Sequence, residues 1–255
     1  MTDLVQLLRN VGLRASEDAI HGLLKHAHTT KMSPTVLLEK LVDIEVRERD
    51  ARNLASRSRA ATLGRFKPMS EFDWSHPRAI DRDLIEQVMA LHFITASPPG
   101  NVLLRGPAGV GKTTIAQNIG LAALQAGFTV RFSTLPAALA DLLRQESLPA
   151  IERRMRRYTS PNLLILDELG YVPCDPRAAD LFFNIISRRH QTRSVVITTN
   201  LPFKQWSSVF PDAACLGALV DRFAEHCHVL DIDAESYRRR SAEPKKPRRT
   251  TRSKR

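Results

Sequence analysis

Residues Asn101 to Thr114 read NVLLRGPAGVGKTT. Val102, Leu103 and Leu104 form a short apolar run that reads as a buried strand, while Ile115, Ile119 and Ala122 recur at helical spacing up to Gly127. Between them Gly106, Gly111, Lys112 and Thr113 satisfy GxxxxGK[ST], the phosphate-binding loop. Each residue type has a physical task there. Glycines allow a loop whose backbone N–H groups turn inward, the lysine reaches terminal phosphates, the hydroxyl ligates magnesium, and the helix opening near Lys112 adds its positive dipole end. Strand, loop and helix stand in the order that chemistry requires. The expected nucleotide contacts are Gly106, Pro107, Ala108, Gly109, Val110, Gly111, Lys112, Thr113 and Thr114, with ATP and Mg2+ as cofactors.

A second motif supports the first. Leu163 to Glu168, LLILDE, is an apolar strand ending in two carboxylates, which puts Asp167 at the carboxyl end of a parallel sheet beside the loop. Asp167 and Thr113 are the expected magnesium ligands, and Glu168 suits polarisation of a water for attack on the terminal phosphate or, in the plainer reading, a local cap. A third strand, Ser194 to Thr199, ends in Asn200, whose side chain either contacts the terminal phosphate or shapes a turn.

The chain has 255 residues and 43% hydrophobic content, enough for one nucleotide-binding domain of ordinary size and a small accessory domain. Its net charge of +11 points to a polyanionic partner, with nucleic acid ahead of membrane because no amphipathic anchor or lipidation signal accompanies the charge. Cys174, Cys215 and Cys227 lack CxxC spacing, as in a reduced cytoplasmic protein, and His226, Cys227 and His228 are consecutive on a strand, which alternates faces and makes a poor metal site. No stretch has membrane-spanning length.

Residues 1–65 lack strand patterns and read as a small helical domain. Ser33 and Pro34 open a long helix running toward Leu63, whose later half carries Arg47, Arg49, Arg52, Arg57, Arg59, Arg65 and Lys67 against Glu48 and Asp50. That charge run is either a solvated face or a nucleic-acid contact, with Arg47, Arg52, Arg57 and Arg59 the candidates. Residues 66–80 read as an irregular linker in which Phe72 and Trp74 dock on the next domain or line the base pocket. The main domain occupies 81–240. Within it the spacing predicts a strand over 128–133, a helix from Pro136, and a helix from Pro176 to His190 whose Arg188 and Arg189 complement its dipole. Arg153, Arg154 and Arg157, in IERRMRRY, suit phosphate contact or an acidic neighbouring subunit. Arg222 is either a trans-acting finger or the partner of Glu225 three residues on. Residues 241–255 read as a disordered basic tail.

The motifs GPAGVGKT, LLILDELGY and ITTNLPFKQW, with the ending LVDRFAEHCHVLDIDAESYRRR, resemble the IstB-like AAA+ ATPases, helper proteins of bacterial transposons similar to DnaC-type helicase loaders. The resemblance spans about residues 5 to 240 and includes the EFDW linker. It implies an α/β P-loop fold of the initiator-like AAA+ kind, a parallel sheet flanked by helices, with the small all-helical domain in front. It further implies a homo-oligomer that assembles on duplex DNA with ATP, selects a target and recruits a cognate transposase. Under it Lys112 and Thr113 serve phosphate and metal, Asp167 and Glu168 form the Walker B pair, Asn200 is sensor one, Arg222 the finger and Arg238 the second sensor, within the run Arg238, Arg239, Arg240. No acidic triad for DNA strand transfer is present, so the chain does not read as the transposase itself. The rival readings are a replicative helicase loader and a P-loop small-molecule kinase, and the +11 charge speaks against the kinase.

Overall fold

Ser33 and Pro34 do open a helix: Val36 N donates to Ser33 Oγ at 3.4 Å and Leu37 N to the Ser33 carbonyl at 3.0 Å. The structure, a computed structural model, describes residues 4–170 and 176–237. Contacts divide the chain into two units, with the boundary between Ala60 and Ala61. The first holds α1 (Leu4–Asn10), α2 (Glu17–Thr30) and most of α3 (Pro34–Ala61) around a small core of Val5, Ala15 and Ile20, against which Leu8, Leu24, Leu41 and Ile44 pack. Two carboxylates of α3 fasten the chain entering α2. Glu45 accepts the Arg14 N–H at 2.6 Å, and Glu48 accepts both the N–H and the hydroxyl of Ser16 at 2.7 and 2.6 Å. Glu45 is 3% exposed. Burial raises its pKa, but the Arg14 N–H and the Arg49 and Arg52 guanidiniums outweigh that and hold it below the usual range.

The second unit runs β1 (Ala79–Ile80), α4 (Arg82–Met89), α5 (His92–Thr95), β2 (Asn101–Arg105), α6 (Lys112–Gln125), β3 (Val130–Thr134), α7 (Leu135–Leu143), α8 (Leu148–Thr159), β4 (Leu163–Leu169), α9 (Pro176–Arg189), β5 (Ser194–Thr199), α10 (Leu216–Ala224) and β6 (Cys227–Asp233). The strands form one sheet in the order β1-β6-β2-β5-β4-β3, parallel throughout except where β1 pairs antiparallel with β6. Covered by helices, β5 is buried along its whole length and β2 at every residue but Arg105, which explains their unbroken apolar runs. Because β2 lies between β5 and β6, the loop after β2 opens at the point where strand order reverses, the usual ligand crevice of such sheets.

Three expectations shift. The strand placed over 128–133 is Val130–Thr134, because Thr129 is held before it by Asn162 Oδ1, through its N–H at 2.9 Å and its hydroxyl at 2.7 Å. The linker contains a 3-10 turn, Met69–Glu71, and the edge strand β1. The helix toward Leu63 stops at Ala61, where Thr62 turns to positive φ and donates its hydroxyl to the Phe132 carbonyl of β3 at 2.7 Å. Residues 241–255, Arg238 and Cys174 lie outside the described residues. Among the described residues no helix is long and apolar enough to cross a membrane.

Candidate nucleotide-binding site

The loop after β2 is shaped by its glycines and by what leans on them. Gly111 caps α6 at φ +97°, and a Cβ on it would come within 2.8 Å of the Phe72 ring. Gly109 sits at φ +82°; a Cβ there would collide with Ser236 Oγ, and its carbonyl accepts the Tyr237 N–H at 3.1 Å. Lys112 is 7% exposed, and its ammonium donates to the Gly106 and Pro107 carbonyls, each at 2.6 Å. Val110 is buried under the loop, whereas Pro107 and Ala108 are exposed. The first turn of α6, with Thr113 and Thr114, lines the crevice, so the positive end of the helix dipole lies at it.

Opposite the loop stand the two carboxylates of β4. Asp167 is buried and accepts the Thr113 hydroxyl at 3.1 and 3.0 Å on its two oxygens, and the Thr198 hydroxyl on Oδ1. Glu168 follows at φ +65°, exposed, its N–H donating to Thr198 Oγ1 at 3.0 Å. Loop, carboxylates, Thr198 and Thr199 wall one cleft of about 200 Å³, closed on its far side by Lys67, Glu71, Phe72, Asp73 and His76 of the linker and by Tyr237.

The linker is held to the phosphate-loop helix by Asn118 of α6. Its amide donates to the Lys67 carbonyl at 2.9 Å and accepts the Met69 N–H at 3.0 Å. The two linker aromatics divide between the two alternatives: Phe72 lies on the cleft wall, while Trp74 meets the Phe72 edge at 5.0 Å and carries the Arg82 guanidinium over its ring at 4.9 Å. Neither Asn118 nor Thr198 was singled out from the sequence. A polar residue on an apolar helix face was the available signal for Asn118; Thr198 offered none.

Other sequence candidates lie apart from the cleft. Asn200 is exposed past the end of β5 beside Gly170, and it is not among the described residues that wall the cleft, where Thr198 and Thr199 stand instead. Arg222 does not pair with Glu225: its guanidinium donates to Ser187 Oγ of α9, and Glu225 takes His190 and, at 3.4 Å, the Gln191 amide. Arg52 is committed within its own unit, donating to the Arg14 carbonyl at 2.9 Å beside Glu45 and Glu48. Arg154 donates to Asp141 of α7 at 2.8 and 2.5 Å, joined by Tyr158 at 2.6 Å, with Arg157 3.9 Å away. Burial raises the Asp141 pKa, but the Arg154 and Tyr158 hydrogen bonds outweigh it, and the shift is downward; burial and that same carboxylate push the Tyr158 phenol up to about 12. Arg47, Arg59 and Arg153 are exposed and Arg57 is half-buried.

Arg188 and Arg189 do more than complement a dipole. Arg188 pairs with Glu152 at 2.7 and 2.6 Å. Arg189 is fully buried and donates to five carbonyls, those of Tyr158, Thr159, Pro161, Asn162 and Ser194, at 2.6 to 3.3 Å. Burial, with Arg193 nearby, draws its pKa down to about 9, so it stays cationic at neutral pH.

The residues present fit a triphosphate with a hard divalent cation. A glycine-shaped loop at a helix start, a lysine already held at the loop, and a threonine hydroxyl set against a buried aspartate are the oxygen and nitrogen groups that chemistry needs.

Comparison with known proteins agrees. The profile of the family described as IstB-like ATP binding protein matches residues 6–244. The chain is 32% identical over 238 residues to the insertion sequence IS21 ATP-binding protein of Pseudomonas aeruginosa, covering 93% of this chain and 89% of that one. In fold it is similar to DnaI, with a TM-score of 0.53 and 16% identity over 66% of this chain and 89% of that one. It is likewise similar to AMPPCP-bound DnaA from Aquifex aeolicus, with a TM-score of 0.53 and 19% identity over 67% and 51% of the two chains. The P-loop sheet is thus of the AAA+ kind, and the chain belongs to the IstB-like ATP-binding proteins of insertion sequences.

Proposed function

We propose that this protein is an ATP-hydrolysing switch of DNA transposition: it oligomerises on duplex DNA with ATP and Mg2+, marks a target and recruits a partner transposase. The observation that carries the hydrolysis reading is that Asp167 and Glu168, consecutive in sequence, both wall the cleft that contains Lys112 and Thr113. Lys112 and the amides from Gly109 to Thr114 bind the phosphates, Thr113 and Asp167 hold the metal, and Glu168 orients and deprotonates the attacking water. Magnesium, when bound, supplies charge neutralisation across the terminal phosphates. The linker and Tyr237 add a further wall to the cleft. Arg222 completes the site of a neighbouring copy, and Arg238 reports on the terminal phosphate.

The net charge of +11 and the exposed Arg47, Arg59 and Arg153 support duplex binding through phosphates rather than base edges. In this reading residues 1–65 serve DNA, partner and assembly, 66–80 link, 81–240 switch, and 241–255 add charge. Insertion-sequence relatives favour a transposase over a helicase as the partner. ATP then sets the lifetime of the assembly, because a ligand that binds the assembled form stabilises it and loss of the terminal phosphate removes those contacts.

The test is size-resolved binding of the full chain to duplex DNA with ATP, with ADP and without nucleotide. A larger complex formed with ATP supports the switch, and identical behaviour in all three conditions defeats it.

A further inference from the structure

In a regular strand consecutive side chains point to opposite faces, so Asp167 and Glu168 should not both reach one cleft. They do, and the register of β4 against β5 shows how. Leu166 pairs with Ile197 and Leu169 with Thr199, so two residues of β4, Asp167 and Glu168, stand opposite the single residue Thr198. The bulge shows again in the core: Leu164, Leu166 and Leu169 belong to one apolar cluster, although strict alternation would send Leu169 to the other side. Beyond it the sheet is mended by a second hydroxyl, Thr199 Oγ1 donating to the Leu169 carbonyl at 2.8 Å.

The bulge costs backbone strain, because Glu168 has φ +65°, a region where a side chain with a Cβ is disfavoured. One hydroxyl holds it. Thr198 Oγ1 accepts the Glu168 N–H at 3.0 Å, and its single proton goes to Asp167 Oδ1, since a carboxylate oxygen accepts. Thr198 is 1% exposed, so no water readily replaces this hydroxyl.

We propose that Thr198 is a positioning residue of the ATP site, whose hydroxyl fixes the aim of the Asp167 carboxylate and holds the Glu168 backbone in the turn that brings both acids to the cleft. The proposal rests on the hydrolysis reading for its effect on turnover. Its effect on metal-dependent binding stands independently.

The experiment compares wild type, Thr198→Val and Thr198→Ser in the full chain. Valine keeps shape and removes the hydroxyl, and serine keeps the hydroxyl. A slowly hydrolysed fluorescent ATP analogue is titrated with Mg2+ and with EDTA, and kcat and KM are measured with ATP. Loss of an outer partner of a metal ligand typically costs about 10- to 100-fold, so Thr198→Val should lose that factor in Mg2+-dependent affinity and in kcat. EDTA binding should hold within about twofold and Thr198→Ser should recover to within about threefold, since an intact phosphate loop still binds the nucleotide. Thr198→Val with wild-type Mg2+ dependence overturns the proposal, as does an equal loss of binding in EDTA, which would mark general damage. If wild type turns over no ATP, the hydrolysis reading fails alone, and the Mg2+ titration still decides the role of Thr198.

Discussion

Arg222 Nη1 donates to Ser187 Oγ at 2.6 Å, and the same guanidinium lies 4.8 Å from the centre of the Phe183 ring. The side chain is therefore seated on α9 rather than paired along its own helix. Glu225 is drawn away by His190, and its other oxygen lies 3.7 Å from His226. Half-buried, and with no carboxylate ion-paired to it among the described residues, Arg222 has a guanidinium available to an anion from outside its own helix.

If that anion is the nucleotide of a neighbouring copy, two inactive proteins should repair each other. Lys112→Ala removes two charge-assisted hydrogen bonds inside the loop and with them nucleotide binding, while Arg222→Ala removes the finger, worth on the order of 10³-fold in turnover. Mixed, the site of the Arg222→Ala protomer meets the arginine of the Lys112→Ala protomer. ATPase assays across mixing ratios should show recovery with a maximum at intermediate composition; a flat zero would place Arg222 outside the reaction.

Glu168→Gln should keep Mg2+·ATP binding and lose turnover by about 10²- to 10⁴-fold, the usual worth of a general base. Its complex with duplex DNA should outlive that of wild type after a chase with unlabelled DNA. Normal hydrolysis by this variant would remove Glu168 from the base role.

The arginines offered for DNA contact now separate by what already holds them. Arg153 is exposed, so Arg153→Ala should lower the slope of log affinity against log salt by about 1 while leaving the melting curve unchanged. Arg52 is tied to Arg14, Glu45 and Glu48, so Arg52→Ala should instead destabilise the helical unit by about 1 kcal/mol, seen in urea titrations of its helicity. The reverse pattern would reassign both residues.

Arg189→Met should be among the most damaging single changes in the chain. It leaves five carbonyls, two buried and three partly buried, without their donor, a loss of about 3 kcal/mol or more, and Arg189→Lys should recover little because an ammonium cannot span that fork. Chemical denaturation of the second unit reads this directly. A change under about 1 kcal/mol would mean that water replaces the guanidinium.

What could be read in advance followed a physical boundary. Lys112, Thr113 and Asp167 were legible because their task fixes both residue type and place, after one strand and at the end of another. Thr198 was not, since a threonine inside SVVITT is an ordinary strand former until the neighbouring strand is known to bulge. Asn200 follows β5 where the sequence placed it, yet the residues of that strand end that wall the cleft are Thr198 and Thr199. Arg189 read as a dipole partner because its five acceptors come from two segments, residues 158–162 and Ser194, that only the fold brings together. Charge runs mislead for a related reason. The alternation of Glu45, Glu48, Arg49 and Arg52 at helical spacing was a visible hint that part of the basic helix serves its own domain.

The contact of Ser236 and Tyr237 on Gly109 has a practical side for anyone reshaping this protein. A shortened version ending at Asp233 would retain all six strands and would look intact by circular dichroism. It would nevertheless have removed the prop behind the phosphate loop, 127 and 128 positions away along the chain. Domain boundaries drawn from secondary structure alone would thus yield a well-behaved sample with a slack nucleotide grip, and inactivity of such a sample would reflect the cut rather than the enzyme.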